Sequence, residues 1–598
     1  MKRRTFLQAT SLAAAGGLVL PSRAVARRPK RYDIIVVGAG AAGCIVARRL
    51  VDRFPKKSIA LLEAGGPTSV VVGGQDFPPY DRQATIFDVP GEYSNIAFQP
   101  KGEPYRQKQT PFTYQGIGYG GNSQFNGMLF QGAPPFDFAT SWPSGWSYAD
   151  VRPYFDLLLR EMHVSDVPST DGVFQNAGAS QIVGDIYRGF GFADADTTLL
   201  GGLGERYFSR AYVVSDHGAR GGPVRSHLAS IVDGRGRSSR RNLDLFAFAT
   251  AERIAFDPGA PNAAIGVTFV DTLTGPTSSG PVGFVPLAAG GRIVLAGGAL
   301  MTPRLLLLSG VGPVTRHDEI FPDGFVVPFH VDNPGIGVSL FDHVATLLGY
   351  EYRGAVPPFR AYHYDDYAAN QVDLARYVSS HAGPYAQYGP VSVLHAFLPG
   401  SAAVPPDARQ PNVEVFVNPF GPGAPGGPYN GPNNFAAFAM LLRPKARTVM
   451  KINRQTFVDY PPIYLTDPAD AELMAVAIHR LIALYRTDPN LVLTFGPGAR
   501  SHPGLNPDRL EDVRKYVEGF DPVDGVFYTR LIINHWGGTC PLGAAVDPAS
   551  LRVHGTRNIH VVDASLHPAP LSAHPVATIM AVAEKAGDIL GAQLDGDP

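Results

Sequence analysis

A strand, a glycine-rich turn and a helix follow one another near the N-terminus in the stretch "RYDIIVVGAGAAGCIVARRL". Residues 34–37 form a β-branched run typical of a buried parallel strand, and Gly38, Gly40 and Gly43 then give the spacing G-x-G-x-x-G. Glycines at these positions let the backbone approach a pyrophosphate, and the helix N-terminus supplies amide donors and a favourable dipole. The stretch therefore predicts a parallel α/β sheet that binds a dinucleotide.

A second apolar strand supports this prediction because it ends in an acid at the expected place. Residues 59–62 read IALL, and Glu63 lies 20 residues beyond Gly43, the distance at which a Rossmann unit places the carboxylate that binds a ribose. That carboxylate would repel the 2′-phosphate of NADP. FAD and NAD remain as candidate dinucleotides.

Length and charge narrow the class of protein and partner. A chain of 598 residues is expected to form more than one domain, because single hydrophobic cores stop growing near about 250 to 300 residues. Lys plus Arg (51) nearly balance Asp plus Glu (52), so the chain lacks the basic field that concentrates nucleic acid. Gly (67) and Pro (54) are abundant without a fixed period. The composition favours a loop-rich globular enzyme with a small neutral partner and argues against nucleic-acid binding.

The first 26 residues have the pattern of an export signal. A positive start that includes the pair Arg3-Arg4 is followed by an apolar run to Leu20, and Ala24-Val25-Ala26 offers small residues for cleavage. We expect a signal peptide of the twin-arginine type at 1–26 and a periplasmic or secreted mature protein. No other segment reaches 18 uninterrupted apolar residues, so we expect no transmembrane segment in the mature chain.

The chain has only two cysteines, Cys44 and Cys540. An iron–sulfur cluster needs about four thiolate ligands, so the sequence excludes one held by this chain alone. Any electron transfer within the chain is expected to use an organic cofactor.

Four later stretches, taken in order, identify a family resemblance. They read "GIGYGGNSQFNGMLFQGAPPFDF" at 116–138, "GGALMTPRLLLLSGVGP" at 297–313, "NPGIGVSLFDH" at 333–343 and "IHVVDASLHPAPLSAHPVATIMAVAEKAGDIL" at 559–590. Periodicity alone would also allow the second and third to be buried helices bounded by turns. Together with the front motif, the four resemble the glucose–methanol–choline (GMC) family of FAD-dependent oxidoreductases over nearly the whole mature chain.

The resemblance implies a fold class and a division of the chain. The fold is α/β (α+β overall), with a Rossmann-type FAD-binding domain and a discontinuous substrate-binding domain built on an antiparallel sheet. The FAD-binding domain is expected from 30–140, 231–344 and 530–598, and the substrate-binding domain from 141–230 and 345–529.

The resemblance also implies FAD as the cofactor, no metal, and a set of residues that bind the FAD. The cofactor-binding residues are expected to be Gly38, Gly40, Gly43, Glu63, Gly120, Asn126, Gly127, Asp563, Ala564, Pro575 and Val576. Some family members attach flavin through a histidine just before the motif's asparagine. Phe125 occupies that position here, and its ring has no nitrogen to form the bond, so we expect non-covalent FAD.

Two histidines are the candidate catalytic residues. In the family pattern a histidine precedes "GTC" by a few residues, as His535 does in "IINHWGGTCPLG", and a second precedes the proline of the closing helix, as His574 does. Oxidising an alcohol requires a base for the hydroxyl proton, and imidazole titrates near neutral pH. We expect His535 to be the base and His574 to hydrogen-bond the substrate oxygen, although these roles are interchangeable at this stage. His343 and His567 are expected to be buried packing residues.

The predicted reaction is oxidation of a small alcohol, such as a sugar or an aryl alcohol, to an aldehyde or ketone by hydride transfer to flavin N5. The electron acceptor is expected to be oxygen, a quinone or a cytochrome. A hydroxynitrile lyase and a non-catalytic flavoprotein are the alternatives on the same scaffold.

A Pro/Gly-rich loop at 418–434 is a candidate lid, and a group of tyrosines could line the substrate site: Tyr362, Tyr364, Tyr367, Tyr385 and Tyr388.

Overall fold

The computed structural model describes residues 30–595 with the exception of 94–95, 97–105, 111–112, 205, 274–282, 325–326, 328, 356–361, 388–393, 400–410, 419–432, 454–457, 461–462 and 520–530. Three features predicted above lie outside the described residues: the leader at 1–26, most of the loop at 418–434, and Tyr388.

The strands of the described residues, in chain order, are β1 (Tyr32–Val37), β2 (Ile59–Leu62), β3 (Arg106–Thr110), β4 (Thr113–Gly116), β5 (Val164–Ser165), β6 (Ala193–Asp194), β7 (Tyr207–Ser209), β8 (Val213–Asp216), β9 (Ala219–Arg220), β10 (Leu243–Phe246), β11 (Ala249–Asp257), β12 (Ala260–Asp271), β13 (Gly283–Leu295), β14 (Val311–Gly312), β15 (Val331–Asp332), β16 (Val344–Tyr352), β17 (Leu394–Pro399), β18 (Pro411–Asn418), β19 (Asn434–Leu441), β20 (Lys451–Ile452), β21 (Val458–Asp459), β22 (Leu491–Phe495), β23 (Leu531–Ile532) and β24 (Ile559–Val561). The α-helices are α1 (Ala41–Arg53), α2 (Pro135–Ser141), α3 (Tyr148–Glu161), α4 (Ala177–Gly189), α5 (Pro223–Ser226), α6 (Gly298–Leu308), α7 (His317–Ile320), α8 (Gln371–Ser380), α9 (Pro468–Tyr485), α10 (Leu510–Glu518) and α11 (Val576–Asp595).

The first sheet has the strand order β10-β2-β1-β13-β12-β11, and β24 also pairs with β13. β1 pairs in parallel with β2 on one side and with β13 on the other. Ile34, Ile35 and Val36 are completely buried, as expected for a central parallel strand covered on both faces. The Rossmann-type unit predicted from the N-terminal motif is confirmed.

The turn between β1 and α1 requires its first and third glycines. Gly38 has φ +104°, and a Cβ there would lie 2.5 Å from the carbonyl oxygen of Ala296. A Cβ on Gly43 would lie 1.9 Å from the carbonyl oxygen of Gly38. Neither distance is compatible with a side chain, so these glycines permit close packing of the first strand, the helix and the segment after β13.

The second sheet has the order β22-β16-β19-β18-β17-β7-β6, with β23 also paired to β16. All of these pairs are antiparallel apart from β6 with β7. A mixed sheet whose parallel strands carry the Rossmann-type unit, together with a largely antiparallel second sheet, is the fold class that the sequence predicted.

The strands of the two sheets come from different segments of the chain. Every strand of the first sheet falls within 30–140, 231–344 or 530–598, while the second sheet takes only β23 and the first residue of β16 from those segments. Helix α3 lies in a segment predicted for the substrate-binding domain, yet its buried residues share one core cluster with α11. None of the helices in the described part of the chain is long and apolar enough to span a bilayer.

Candidate active site

His535 and His574 lie side by side although they come from different segments. Their ring centroids are 4.8 Å apart, and the ring planes meet at 78°. Backbone hydrogen bonds from Cys540 to Ser565 and from Leu542 to Leu566 join the segment after His535 to the segment before α11. The structure therefore brings the two candidate catalytic histidines together.

The backbone of His535 is fixed by Asp342. The Asp342 carboxylate accepts the N–H of His535 at 2.6 Å, the N–H of Asn534 at 3.3 Å and the hydroxyl of Tyr464 at 3.0 Å. Burial raises the pKa of Asp342 to about 7, although these donors favour its charged form. Asp342 lies just before β16 and His535 lies just after β23, and the antiparallel pairing of Val344 with Ile532 brings the two residues together.

The glycine pair after the candidate base is required by packing within the chain. A Cβ on Gly537 would lie 2.4 Å from the ring of Phe341, and one on Gly538 would lie 2.3 Å from the carbonyl oxygen of Ser339. Gly538 also has φ +76°. The glycines thus make room for the neighbouring segment of this chain, and Trp536 anchors the same turn by donating its indole N–H to Tyr460 at 3.1 Å.

His343 is buried as expected, but it contacts the candidate base directly. Its Nδ1 lies 2.8 Å from Nδ1 of His535, and its Nε2 lies 2.9 Å from the carbonyl oxygen of Leu442. Burial and the charge of His574 lower the pKa of His343 to about 4, although the carbonyls of Leu442 and Leu571 favour protonation. His343 is therefore neutral near pH 7.

The surroundings of His535, the candidate base, favour its neutral form. Burial, together with the positive forms of His574 and His343, holds the pKa of His535 well below the usual range, and Glu414 opposes this shift only in part. An uncharged imidazole can accept a proton from a substrate.

His574 is set against a buried carboxylate that the sequence analysis missed. Its Nε2 lies 3.4 Å from Oε2 of Glu414, a completely buried residue on β18. Gln131 donates its side-chain amide to Glu414 at 3.0 Å, and its carbonyl accepts the backbone N–H of His574 at 3.1 Å. An acid in the otherwise apolar strand "NVEVFV" was the available signal, because a buried charge is retained only where it has a partner.

The predicted adenosine site is assembled around Glu63. This buried carboxylate accepts the backbone N–H groups of Ala39, Gly65 and Gly118 at 2.7 to 3.0 Å. It therefore ties the glycine turn of α1 to the loop that begins at 116. Burial raises the pKa of Glu63, and the three amides oppose that shift.

Three further predicted cofactor-binding residues lie in the loop that begins at 116, and the first of them contacts the glycine turn. Gly120 donates its N–H to the carbonyl of Ala39 at 2.7 Å and bridges to Gly40. Asn126 and Gly127 follow and are partly buried, and the fully buried Arg220 donates to the carbonyl of Asn126 at 2.7 Å.

The last group of predicted cofactor residues precedes and begins α11. The Asp563 carboxylate accepts the N–H of Gly298 at 2.9 Å and the hydroxyl of Thr302 at 2.6 Å, so its side chain is directed to the start of α6. Ala564 begins the short 3₁₀ turn Ala564–Leu566, Pro575 precedes α11, and Val576 is the first residue of that helix.

These features fit FAD. The turn around Gly38 and Gly43 admits no side chain, and α1 begins without a capping side chain or an acid in its first turn. Its first amides are thus available to an anionic group such as a pyrophosphate. Phe125 packs its ring against Phe87, with centroids 5.4 Å apart, and offers no nucleophile for a covalent link.

The described tyrosines form a packed cluster around a buried acid. Glu92 is completely buried and accepts the hydroxyls of Tyr80 at 2.7 Å and Tyr367 at 2.9 Å. Tyr362, Tyr364 and Tyr385 pack on one another in the same cluster, with ring centroids 4.7 to 5.8 Å apart. These contacts give the described tyrosines a packing role around Glu92.

His567 also has the packing role expected for it. It is buried, and its ring centroid lies 5.3 Å from that of Trp142. Cys44 and Cys540 are both buried and free.

Comparison with known proteins agrees with this geometry. The family models for GMC oxidoreductase match residues 32–345 with the N-terminal model and residues 444–583 with the C-terminal model. An oxygen-dependent choline dehydrogenase from Escherichia coli is 26% identical over 94% of this chain and 94% of its own length. A glucose dehydrogenase [FAD, quinone] from Drosophila pseudoobscura is 26% identical over 94% of this chain and 86% of its own length.

Solved structures share the fold at lower identity. A pyridoxine 4-oxidase from Mesorbium loti superposes with a TM-score of 0.66 at 21% identity, covering 93% of this chain and 99% of that chain. A fungal aryl-alcohol oxidase superposes with a TM-score of 0.69 at 20% identity, covering 94% of this chain and 99% of that chain. The chain therefore belongs to the GMC oxidoreductase family and is an FAD-dependent oxidoreductase of the kind that acts on alcohols.

Proposed function

We propose that this enzyme oxidises a small alcohol to an aldehyde or ketone with His535 as the base that removes the hydroxyl proton. The observation that carries the proposal is the pairing of two imidazoles at 4.8 Å in chemically different surroundings. His535 faces a neutral histidine, whereas His574 faces a buried carboxylate.

The surroundings of His535 suit a base. Its Nδ1 is occupied by His343, which leaves Nε2 as the ring nitrogen that can meet a substrate hydroxyl. A base must be unprotonated before the substrate arrives, and the lowered pKa of His535 meets that requirement at neutral pH. FAD, when bound, supplies the two-electron acceptor for the hydride that leaves the carbinol carbon.

The surroundings of His574 suit a hydrogen-bond donor. Glu414 can balance a positive charge on that ring, and Gln131 holds the backbone at the same position. A donor on the substrate oxygen would orient the O–H toward His535 and stabilise the alkoxide as the proton leaves. These contacts support assigning the base to His535 and the donor to His574, two roles that the sequence left interchangeable.

The remaining features of the proposal concern the cofactor and the location of the enzyme. Non-covalent FAD is supported by Phe125, which occupies the position where some relatives carry a histidine for attachment. A periplasmic or secreted location is supported by the pattern of the leader at 1–26.

The proposal is tested by mixing the FAD-loaded enzyme anaerobically with benzyl alcohol, choline and glucose in turn. Loss of the visible absorbance of oxidised flavin with at least one alcohol is the expected result. Reoxidation of that sample with oxygen or a soluble quinone then identifies the class of acceptor. Absence of bleaching with these and a wider alcohol series would contradict the proposal, and cyanide release from mandelonitrile without bleaching would favour a lyase.

A further inference from the structure

A chain of three polar groups leads from the second sheet to the candidate base. The carbonyl of Leu442, immediately after β19, lies 2.9 Å from Nε2 of His343, and Nδ1 of His343 lies 2.8 Å from Nδ1 of His535. Both distances are short enough for strong hydrogen bonds. The two imidazole planes meet at 83°, so the rings contact through their nitrogens without stacking.

The positions of the protons along this chain follow from the chemistry of its first member. A carbonyl oxygen only accepts, so we assign the proton of the neutral His343 ring to Nε2, which lies 2.9 Å from the carbonyl of Leu442. A neutral imidazole has one N–H, which leaves Nδ1 of His343 as an acceptor. The N–H between the two rings must then belong to Nδ1 of His535.

We propose that His343 is a positioning residue that holds His535 in the Nδ1–H tautomer, with the lone pair of Nε2 directed to the substrate. The inference rests on the proposed function, because it concerns the residue assigned there as the base. His343 itself does not touch the substrate in this arrangement. It acts as the aspartate does in a serine-protease triad, but without a negative charge.

The absence of charge on His343 has a consequence for proton transfer. When the substrate O–H bond breaks, its proton forms an N–H bond at Nε2 of His535, and the electron pair stays on the substrate oxygen. His535 is then an imidazolium whose Nδ1–H points at the lone pair of His343. The neutral His343 ring orients His535 and accepts the hydrogen bond of the transient imidazolium. It stabilises a protonated His535 before the reaction less than a carboxylate would.

Two substitutions separate the hydrogen bond from simple packing. His343→Gln keeps a carbonyl oxygen that can accept from His535 and an amide that can donate to Leu442. His343→Leu fills similar space and removes both functions. With the alcohol that bleaches the wild-type flavin, His343→Leu is expected to slow flavin reduction by about 10²-fold, in the range observed for loss of base function or tautomer control. His343→Gln is expected to stay within a few fold of wild type.

A second measurement reports the tautomer without using activity. In protein labelled with ¹⁵N-histidine, ring nitrogen shifts are assigned to His535 by comparison with His535→Gln. The expected result for wild type and His343→Gln is a protonated Nδ1 and an unprotonated Nε2. In His343→Leu the His535 signals should move toward a mixture of tautomers.

Several outcomes would overturn the inference. The first is a protonated Nε2 of His535 in the wild-type enzyme, and the second is a wild-type rate of flavin reduction in His343→Leu. The third is an equal loss of reduction rate in both variants, measured where their flavin occupancy and melting temperature match those of the wild type. Failure of the wild type to be reduced by any alcohol would instead contradict the proposed function, and the nitrogen shifts would still test the tautomer.

Discussion

Nε2 of His574 lies 3.4 Å from the carboxylate of Glu414, which is completely buried in the second sheet. A negative charge at Glu414 would stabilise the positive charge that develops on the His574 ring as it donates to the substrate oxygen. Replacing Glu414 by Gln keeps the shape and removes the charge. We expect Glu414→Gln to slow flavin reduction by about 10- to 100-fold, which corresponds to a loss of about 1.4 to 2.7 kcal/mol of transition-state stabilisation.

The measurement is the anaerobic rate of flavin reduction at saturating alcohol. Glu584→Gln is a matched control, because Glu584 is also a buried carboxylate that contacts a histidine, His227, at 2.6 Å. That pair lies between helices and outside the proposed site. Equal effects of the two substitutions on the reduction rate would show that Glu414 acts only through stability.

Replacing the proposed base should separate catalysis from cofactor binding. His535→Ala is expected to slow flavin reduction by about 10²-fold or more while FAD remains bound, because a general base contributes a factor of this order. Added imidazole should restore part of the rate by entering the space left by the side chain. The control is His217→Ala, since the side chain of His217 is 82% exposed. A wild-type reduction rate in His535→Ala would place the base elsewhere.

The pH dependence should reflect the lowered pKa of His535. Burial and the neighbouring histidines disfavour protonation of the base, so it remains unprotonated through neutral pH. We expect kcat/KM for the alcohol to be level around neutrality and to fall only at pH values below the ordinary histidine pKa of about 6.5. A decline of kcat/KM that begins at or above that value would contradict this environment. Dithionite reduction over the same range checks that the flavin itself remains accessible.

The sequence predicted the first sheet and the identity of the histidine pair because both depend on local patterns. The strand, the glycines and Glu63 lie within a short segment, and the contacts that make them recognisable join neighbours in that segment. His535 and His574 were found in the same way, each from its own short motif. Their proximity was an expectation from the family resemblance, and the structure shows it.

The surroundings of the pair could not be predicted because they depend on contacts between distant segments. His343 lies 192 residues before His535, and Gln131 lies 443 residues before the backbone amide that it fixes. The packing of Gly537 against Phe341 and of the tyrosines around Glu92 likewise depends on contacts between distant segments, which residue type alone does not indicate.

The link between protein and cofactor can be tested by denaturation. Phe125 occupies the position of a covalent attachment in some relatives, and its ring packs against Phe87. Acid precipitation of the purified holoenzyme is therefore expected to leave the yellow flavin in the supernatant. Visible absorbance retained in the washed pellet would show a covalent bond, and mass spectrometry of proteolytic fragments would locate it.

The glycines of the first turn should divide into one needed for folding and one needed for FAD. A Cβ on Gly43 would lie 1.9 Å from the carbonyl oxygen of Gly38, whereas the nearest atom to a Cβ on Gly40 is 3.9 Å away. Gly40 also has φ −69°, which alanine adopts readily. We expect Gly43→Ala to lower the melting temperature or the soluble yield of the protein. Gly40→Ala should fold normally and bind FAD more weakly, because the second glycine of this motif allows the backbone to approach a pyrophosphate.

Thermal unfolding of the apoprotein and titration with FAD measure the two effects separately. Wild-type FAD affinity in Gly40→Ala would show that this part of the turn does not approach the cofactor, and a wild-type melting temperature in Gly43→Ala would contradict the packing of the turn.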